Sequence, residues 1–245
     1  MLRTLLTATI ALAASPALAG ETVSYEVDGA AYDGYLALPE GEPRGLVLVI
    51  HDWDGLGDYE QRRADMLAEL GYAAFAADLY GAGNRPESID ARKAETAKLY
   101  DDREAMRARI LGGLATARER VGERPAVVMG YCFGGAATLE LARSGAAEDV
   151  VAYTSFHGEL ATPEDQSWEG VDAFVLVAHG GADSMISLDD VARLGGELEA
   201  AGTPYEIQIY SGAPHAFTVF ESDRYRERAD RESWQAFTDL LAEHL

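Results

Sequence analysis

The chain has 245 residues, of which 48% are hydrophobic and 25% are charged, and its formal net charge is −22 at pH 7. A chain of this size and composition can bury a large hydrophobic core, which excludes a disordered or fibrous protein. Because so acidic a surface repels nucleic-acid phosphates and anionic lipids, we expect neither of them as a partner.

Residues 1–19 carry the features of an export signal. A basic start at Arg3 precedes an apolar segment that is shorter than a bilayer span, and Ala17-Leu18-Ala19 matches an A-x-A cleavage site. We therefore predict a signal peptide over 1–19, a single domain over 20–245, and a mature protein that is periplasmic or secreted. After cleavage we expect no membrane contact, because no later segment has the composition of a membrane span.

Three strands are predicted near the start of the mature chain. Residues 21–41 alternate between apolar and polar side chains around Asp28-Gly29, which predicts two antiparallel strands joined by a tight turn. Residues 45–51 form a continuous apolar run, which is typical of a strand that is buried on both faces.

A helix is predicted over residues 59–70. Asp58 is the expected N-cap, Gln61 stands at capping-box spacing from it, and Gly71 is placed to end the helix. The first two side chains would satisfy backbone groups that the first helical turn leaves free.

From residue 72 onward, apolar strands alternate with amphipathic helices, which calls for a mostly parallel sheet with helices on both faces. In such a sheet, functional residues gather at the carboxyl ends of the strands. The predicted elements are strands over 72–80, 126–132, 150–156, 172–180 and 205–212, helices over 101–121 and after Ser187, and a C-terminal helix with Trp234, Phe237, Leu240 and Leu241 on one side.

The single cysteine of the chain stands in the segment Gly130-Tyr131-Cys132-Phe133-Gly134, between a predicted strand and a predicted helix. This pattern is that of a nucleophile elbow, a sharp turn that lifts a reactive side chain above the sheet. The positive end of the following helix should lower the cost of a thiolate. A lone thiol in an exported protein is either buried and inert or reactive.

An acid and a histidine follow at later strand ends, namely Asp183 and His215, in the order that α/β-hydrolases use. His215 would take the thiol proton or stabilise the thiolate as an ion pair, and Asp183 would orient His215. Cys132 would attack an ester or lactone carbonyl to form a thioester. The oxyanion needs two backbone N–H donors, for which we predict Phe133 and Trp53.

These segments together resemble the dienelactone hydrolase family, cysteine hydrolases with the α/β-hydrolase fold that act on lactones and esters. The resemblance extends over roughly residues 25–245 and implies that Cys132, Asp183 and His215 form the catalytic triad. The segments that carry it are HDWDGL (51–56), ADLYG (77–81), GYCFGG (130–135), HGGAD (179–183) and GAPHAF (212–217).

Two departures from the family pattern bear on the substrate. Asp52 stands where the family usually has a glutamate that engages the resting thiol, and it is one methylene shorter. The two arginines with which dienelactone-cleaving members bind the substrate carboxylate are replaced by Ala82 and Val219, and Arg85 is out of register. Without those bidentate anchors, and with so acidic a chain, we expect neutral esters or lactones as substrates.

Alternatives stay open at this point. Cys132 is alternatively a small core residue, Asp183 a turn residue, His215 a structural histidine and Asp52 a solvated loop acid. A non-catalytic binding protein, a thiol-redox protein on the same fold, and a true dienelactone hydrolase are the competing functions.

The remaining predictions concern the pocket and its cofactors. Tyr80, Tyr131 and Phe217 are candidates to line an apolar substrate pocket, although aromatic residues near strand ends are often part of the core. The histidines do not have metal-ligand spacing, so we predict neither a metal nor another cofactor. The expected partner is a small ester or lactone, and the sequence does not indicate an oligomeric state.

Overall fold

The computed structural model describes residues 20–245. The predicted signal peptide lies outside this range and stays a prediction. No helix in the described part of the chain is both long and apolar enough to cross a membrane. The strands are β1 Glu21–Val27, β2 Ala30–Ala37, β3 Leu46–Ile50, β4 Ala73–Ala77, β5 Ala126–Tyr131, β6 Val150–Phe156, β7 Phe174–Gly180 and β8 Tyr205–Tyr210; the helices are α1 Asp58–Glu69, α2 Ile89–Asp101, α3 Arg103–Val121, α4 Phe133–Ser144, α5 Leu188–Ala201 and α6 Glu227–His244.

These strands form one sheet in the order β1-β2-β4-β3-β5-β6-β7-β8. The pairs from β4 to β8 are all parallel, whereas β1 pairs antiparallel with β2 and β2 pairs antiparallel with β4. The predicted mostly parallel sheet of an α/β-hydrolase fold is therefore confirmed. The parallel strands bring the ends of β3, β5, β7 and β8 to one edge of the sheet.

Apolar side chains fill both faces of the sheet. In β3, Leu46, Leu48 and Ile50 face one core, with α3, α4 and α5, while Val47 and Val49 face the other core, with α1 and α6. The side chains of β3 thus alternate between two apolar cores, as expected for a central strand of a parallel sheet.

The start of α1 differs from the prediction by one residue. Gly57, rather than Asp58, is the N-cap, and Glu60, rather than Gln61, returns its carboxylate to the cap, with Oε2 2.9 Å from the Gly57 nitrogen. Glu60 is only 2% exposed because its other oxygen lies 3.3 Å from the backbone nitrogen of Asp52. The hydrogen bonds of the buried Glu60 carboxylate to the loop before α1, and not a capping side chain, therefore determine where this helix begins.

The helix predicted over 101–121 begins at Arg103 and is preceded by a separate helix, α2. The two are divided at Asp102, whose side chain accepts a hydrogen bond from the backbone nitrogen of Ala105 and caps α3. On α2 only Leu99 is buried, so this helix has no apolar stripe from which the sequence could predict it.

Candidate active site

Cys132 lies between the last residue of β5 and the first residue of α4, with φ +49° and ψ −111°. A non-glycine residue at positive φ is strained, and such strain is typical of a nucleophile elbow. The turn leaves the thiol partly accessible at the carboxyl edge of the sheet. The predicted strand-to-helix position of the cysteine is thus the observed one.

Two glycines allow the close approach that this turn needs. A Cβ atom on Gly130 would lie 2.2 Å from the carbonyl oxygen of Gly134, and a Cβ atom on Gly134 would lie 2.4 Å from the carbonyl oxygen of Ile50. Both neighbours are backbone atoms that cannot rotate away. Helix α4 therefore packs directly against the ends of β3 and β5.

His215 joins the cysteine to an acid. Its Nε2 atom lies 3.1 Å from the Cys132 sulfur, and its Nδ1 atom lies 2.8 Å from Oδ2 of Asp183. The second oxygen of Asp183 accepts hydrogen bonds from the backbone nitrogens of Met185 and Ile186, at 2.8 and 3.1 Å. With Nδ1–H donated to the carboxylate, Nε2 is free to accept the thiol proton.

Burial acts against the charged form of Asp183, but hydrogen bonds outweigh it. The bonds from His215 and from the backbone of Met185 and Ile186 hold the pKa of this carboxyl below its ordinary value. The acid is therefore ionised at neutral pH and can stabilise a positively charged His215.

The surroundings of Cys132 favour the protonated thiol, although the start of α4 acts in the expected opposite direction. Burial raises the pKa of Cys132 well above its ordinary value, and the negative charges of Asp52 and Asp183 raise it further. The backbone N–H of Phe133 acts on the thiol and lowers the pKa, but it does not offset these effects. The Nε2 atom of His215 lies 3.1 Å from this thiol, within reach of its proton.

The charge of Asp52 acts on the Cys132 thiol and raises its pKa. Asp52 is only 8% exposed, and burial together with the charge of Asp54 raises its pKa to about 6. One of its oxygens also accepts the backbone N–H of Trp53. The Asp52 carboxylate is therefore buried and bound to the backbone of its own loop.

The two predicted oxyanion donors differ in their present partners. The N–H of Phe133 acts on the Cys132 thiol and lowers its pKa, whereas the N–H of Trp53 is bound to the Asp52 carboxylate. The loop is held by His51, whose Nδ1 donates to the Asp52 carbonyl oxygen at 2.6 Å and whose Nε2 accepts the N–H of Leu79 at 3.1 Å. The N–H of Trp53 is therefore occupied in this structure.

The predicted pocket aromatics lie mostly in the interior. Tyr131 and Phe217 are completely buried and pack in the core beneath α1 and α6, so they offer no surface to a substrate. Tyr80 is 7% exposed, and its hydroxyl donates to the carbonyl oxygen of Trp53 at 3.0 Å. Of the three, Tyr80 alone contacts the loop beside the thiol.

A cavity of about 460 Å³ adjoins Asp52. Its lining includes Val219 and Arg85, together with the acidic side chains of Asp54 and Glu87. The Nη1 atom of Arg85 donates to the Asn84 carbonyl oxygen at 2.8 Å and lies 3.4 Å from a carboxylate oxygen of Asp78. Arg85 is therefore paired with a buried acid.

Comparison with known proteins agrees with this geometry. The model of the dienelactone hydrolase family matches residues 32–245. The chain belongs to the dienelactone hydrolase family. Similar proteins include one from Methylorubrum extorquens that is named as a carboxymethylenebutenolidase, with 27% identity over 96% of this chain and 84% of that protein.

Solved structures extend the comparison. A dienelactone hydrolase-like promiscuous phosphotriesterase from metagenomic libraries has 28% identity and a TM-score of 0.82, over 92% of this chain and 98% of its own. The structure named m3DLH has 30% identity and a TM-score of 0.84, with the same two coverages. As a member of this family, the protein is a hydrolase of the ester and lactone class.

Two further buried groups contact residues of the candidate site: Glu60, which sequence reasoning missed, and His157, which the sequence suggested only as a residue that could line the pocket. The Glu60 carboxylate accepts hydrogen bonds from the backbone nitrogens of Asp52 and Gly57, and burial raises the pKa of Glu60 to about 8. His157 has φ +42° and no exposed surface, and its ring lies 5.2 Å from the ring of His215. His157 Nε2 lies 2.8 Å from the Thr218 hydroxyl. These two residues are so far apart in the sequence that no local sequence pattern predicts this contact.

Arg63 is a third buried group that no sequence pattern predicted. It is 1% exposed and forms an ion pair with Asp230, which joins α1 to α6. It also donates to the Thr218 carbonyl oxygen at 3.0 Å and to the hydroxyl of Tyr59 at 3.3 Å. The Tyr59 hydroxyl lies 2.8 Å from that of Thr218, so this network supports the segment that carries His215.

Proposed function

We propose that this protein hydrolyses neutral carboxylic esters or lactones through a Cys132-His215-Asp183 triad and a thioester intermediate. The observation that carries the proposal is the unbroken line of contacts from the cysteine sulfur to His215 and on to Asp183 at a strained elbow. Nucleophile, base and orienting acid are then in the geometry that covalent catalysis needs.

In the first half of the reaction, His215 Nε2 takes the proton of Cys132 as the sulfur attacks the substrate carbonyl carbon. The carbonyl electron pair moves to oxygen, where the N–H groups of Phe133 and Trp53 stabilise it. Collapse of this intermediate breaks the bond to the alkoxy oxygen, which receives the proton from His215. The acyl group remains on sulfur as a thioester.

In the second half, His215 takes a proton from water as the water oxygen attacks the thioester carbonyl. Collapse breaks the carbon–sulfur bond, the acid leaves, and the proton returns to Cys132. Asp183 stays ionised throughout and stabilises the imidazolium of each half-reaction. Asp52 must leave the Trp53 N–H before the first oxyanion forms, because one N–H cannot serve both.

A preference for neutral substrates is supported by charge. The arginines that would bind a substrate carboxylate are replaced by Ala82 and Val219, and Arg85 is already paired with Asp78. The neighbouring Arg92 lies 3.7 Å from a carboxylate oxygen of Asp54. A carboxylate entering this cavity would meet acids without a free bidentate partner.

Hydrolysis of a short-chain chromogenic ester by the wild-type protein and by Cys132→Ala tests the proposal. We expect the rate to fall about 10³-fold or more in the variant, because the whole covalent route is lost. Equal turnover in both proteins would reject the cysteine mechanism. Peroxide consumption without ester turnover would instead favour the thiol-redox function.

A second experiment tests the preference for neutral substrates. We expect kcat/KM to be higher for a neutral ester or lactone than for a dienelactone that bears a carboxylate. The reverse order would make this protein a true dienelactone hydrolase and would leave the triad proposal intact.

We further propose that residues 1–19 are removed on export and that residues 20–245 form one domain in the periplasm or outside the cell. The mass of the exported protein tests this directly. A protein that retains Met1 in the cytoplasm would contradict it.

A further inference from the structure

Tyr100 lies in the last turn of α2 and contacts the start of α4. Its ring lies against the ring of Phe133, the residue that follows Cys132, with the centroids 5.6 Å apart and the planes at 80°. The guanidinium carbon of Arg103 lies over the Tyr100 ring, 5.7 Å from its centroid, and Arg103 Nη1 is bound to Glu140 of α4 at 2.9 Å. These two contacts hold the ring in one place beside the elbow.

The hydroxyl of Tyr100 is free to donate a hydrogen bond. The Tyr80 hydroxyl donates to the carbonyl oxygen of Trp53 at 3.0 Å, whereas the Tyr100 hydroxyl has no partner within residues 20–245. The hydroxyls of Tyr72 and Tyr131 also lack a partner there, but they are enclosed, and that of Tyr100 is not. A phenol that is held in place with an open, unpaired hydroxyl is suited to bind a ligand oxygen.

Tyr100 lines a cavity of about 150 Å³ that also borders Ala136. Ala136 follows Cys132 by one helical turn, and its backbone nitrogen lies 3.1 Å from the Cys132 carbonyl oxygen. Ala161 and Pro163 complete the apolar part of the lining. A protein cavity of about 150 Å³ can hold a benzene molecule, so this one has room for a group of about six non-hydrogen atoms.

The charges on the lining favour an uncharged occupant. The two arginines of the lining, Arg103 and Arg143, are turned to Glu140, which neutralises part of their charge. Glu159 adds a negative charge to the same lining. An anion would meet this acid, whereas a neutral group with an acceptor oxygen would meet the Tyr100 hydroxyl.

Tyr100 stays a donor while the thiol reacts. Burial is the largest cause that raises the pKa of its phenol, followed by the negative charge of Cys132 and then that of Glu159. The phenol therefore keeps its proton at neutral pH, also when Cys132 is ionised. Its hydroxyl can then donate to a bound substrate throughout the reaction.

We propose that Tyr100 and Ala136 form a substrate subsite, in which the Tyr100 hydroxyl donates a hydrogen bond to a second oxygen of the substrate, outside the reacting ester group. The substrate class is then a neutral ester or lactone with an ether, hydroxyl or carbonyl oxygen in a group of about six non-hydrogen atoms. That group is either the acyl part or the alcohol part of the ester. This inference rests on the proposed function.

Two pairs of esters with closely similar shapes test the subsite. An ether oxygen replaces one methylene group of para-nitrophenyl butanoate in para-nitrophenyl methoxyacetate, and one methylene group of butyl acetate in methoxyethyl acetate. For each pair, the ratio of kcat/KM for the ether to kcat/KM for its hydrocarbon partner is measured in wild type and in Tyr100→Phe. Intrinsic differences in ester reactivity cancel in this comparison, because they are the same for both proteins.

We expect this ratio to fall about threefold to tenfold in Tyr100→Phe for one of the two pairs, which is the worth of one neutral hydrogen bond. A fall in the methoxyacetate pair assigns the cavity to the acyl group, and a fall in the methoxyethyl pair assigns it to the alcohol group. An unchanged ratio in both pairs would overturn the inference.

Tyr72→Phe is the matched control. It removes a tyrosine hydroxyl that likewise has no partner within residues 20–245, from the core on the other face of the sheet. Both ratios should therefore be the same in Tyr72→Phe as in wild type. A fall of the same size in Tyr72→Phe would mean that the effect is not specific to Tyr100 and would also overturn the inference.

Ala136→Val tests the cavity without touching the hydroxyl. The two added methyl groups narrow the cavity from the side of α4, so kcat/KM for butanoate or butyl esters should fall threefold or more relative to that for the corresponding acetate or methyl ester. If the longer and the shorter esters are affected equally, the substrate chain does not enter this cavity and the subsite is wrong.

Dependence on Cys132 separates this inference from the proposed function. If Cys132→Ala abolishes hydrolysis of all four esters and Tyr100→Phe leaves both ratios unchanged, only the subsite fails. If hydrolysis persists in Cys132→Ala and its ether ratio still depends on Tyr100, the subsite stands and the cysteine mechanism fails.

Discussion

Among single residues, Asp52 interacts with two groups that the proposed reaction needs. It raises the pKa of the Cys132 thiol, and it occupies the N–H of Trp53. Without substrate, Asp52 therefore favours the protonated thiol and occupies the N–H of Trp53. In the proposed reaction, substrate binding would have to displace this carboxylate from Trp53.

The charge of Asp52 gives a prediction for the reactivity of the thiol. In Asp52→Asn the pKa of Cys132 should fall, because the negative charge beside the sulfur is gone while the amide oxygen can still accept the Trp53 N–H. We expect the pH midpoint of iodoacetamide alkylation to move to lower pH and the rate at neutral pH to rise severalfold. Asp54→Asn, a more exposed neighbour on the same loop, is the control and should leave the midpoint in place.

Glu60 gives a prediction for stability against pH. Its pKa is raised from about 4.5 to about 8 in the folded protein, mainly by burial, so between these values the folded state keeps a proton that the unfolded state has lost. The free energy of unfolding should therefore fall as pH rises through this window, by up to about 1.4 kcal/mol per pH unit.

Thermal unfolding of Glu60→Gln from pH 5 to pH 8 checks this. Because the amide does not titrate, the variant should gain stability relative to wild type as the pH rises. Glu69→Gln, which changes an exposed residue of the same helix, should give a curve parallel to wild type. A parallel curve for Glu60→Gln as well would contradict the prediction.

At the level of helices and strands, the elbow depends on how closely α4 approaches β3. We expect Gly134→Ala to destabilise the protein by about 1–3 kcal/mol or more, since the added methyl group would meet the carbonyl oxygen of Ile50 at 2.4 Å. Gly196→Ala on α5 has open space around it and should stabilise the protein by about 0.5–1 kcal/mol. Urea unfolding measures both, and a neutral effect of Gly134→Ala would contradict the close packing.

The elements that the sequence predicted are those with a strong pattern. The buried strands are continuous apolar runs, and the face of α5 with Val191, Leu194 and Leu198 has helical spacing and is buried in the structure. Helix α2 was missed because it buries only Leu99. The start of α1 was misplaced by one residue because Gly57 has no side chain to signal a cap.

The candidate site was predictable only in part, for a related physical reason. Cys132, Asp183 and His215 each follow a strand, so topology alone brings them to one edge of the sheet. Glu60, His157 and Arg63 contact their partners only in the folded protein, and nothing in their local sequence marks those contacts. The predicted pocket aromatics Tyr131 and Phe217 were placed at the edge, but their side chains point into the core.

For the molecule as a whole, the net charge of −22 should act on the approach of substrates. An anionic ester is repelled before it reaches the site, and salt screens this repulsion because the Debye length is about 10 Å at 0.1 M ionic strength. We expect kcat/KM for a carboxylate-bearing ester to rise with added NaCl, while kcat/KM for its neutral isostere stays nearly constant. Equal salt dependence of the two substrates would contradict this.

The ion pair between Arg63 and Asp230 bears on the order of events when the protein denatures. The segment that carries His215 enters α6, and α6 is fastened to α1 through this pair. If α6 separates from α1, His215 loses its alignment with Cys132 while the central strands can still be intact. On heating, activity would then be lost before the sheet unfolds. A protease that cleaves the C-terminal helix would likewise abolish activity while the sheet stays folded.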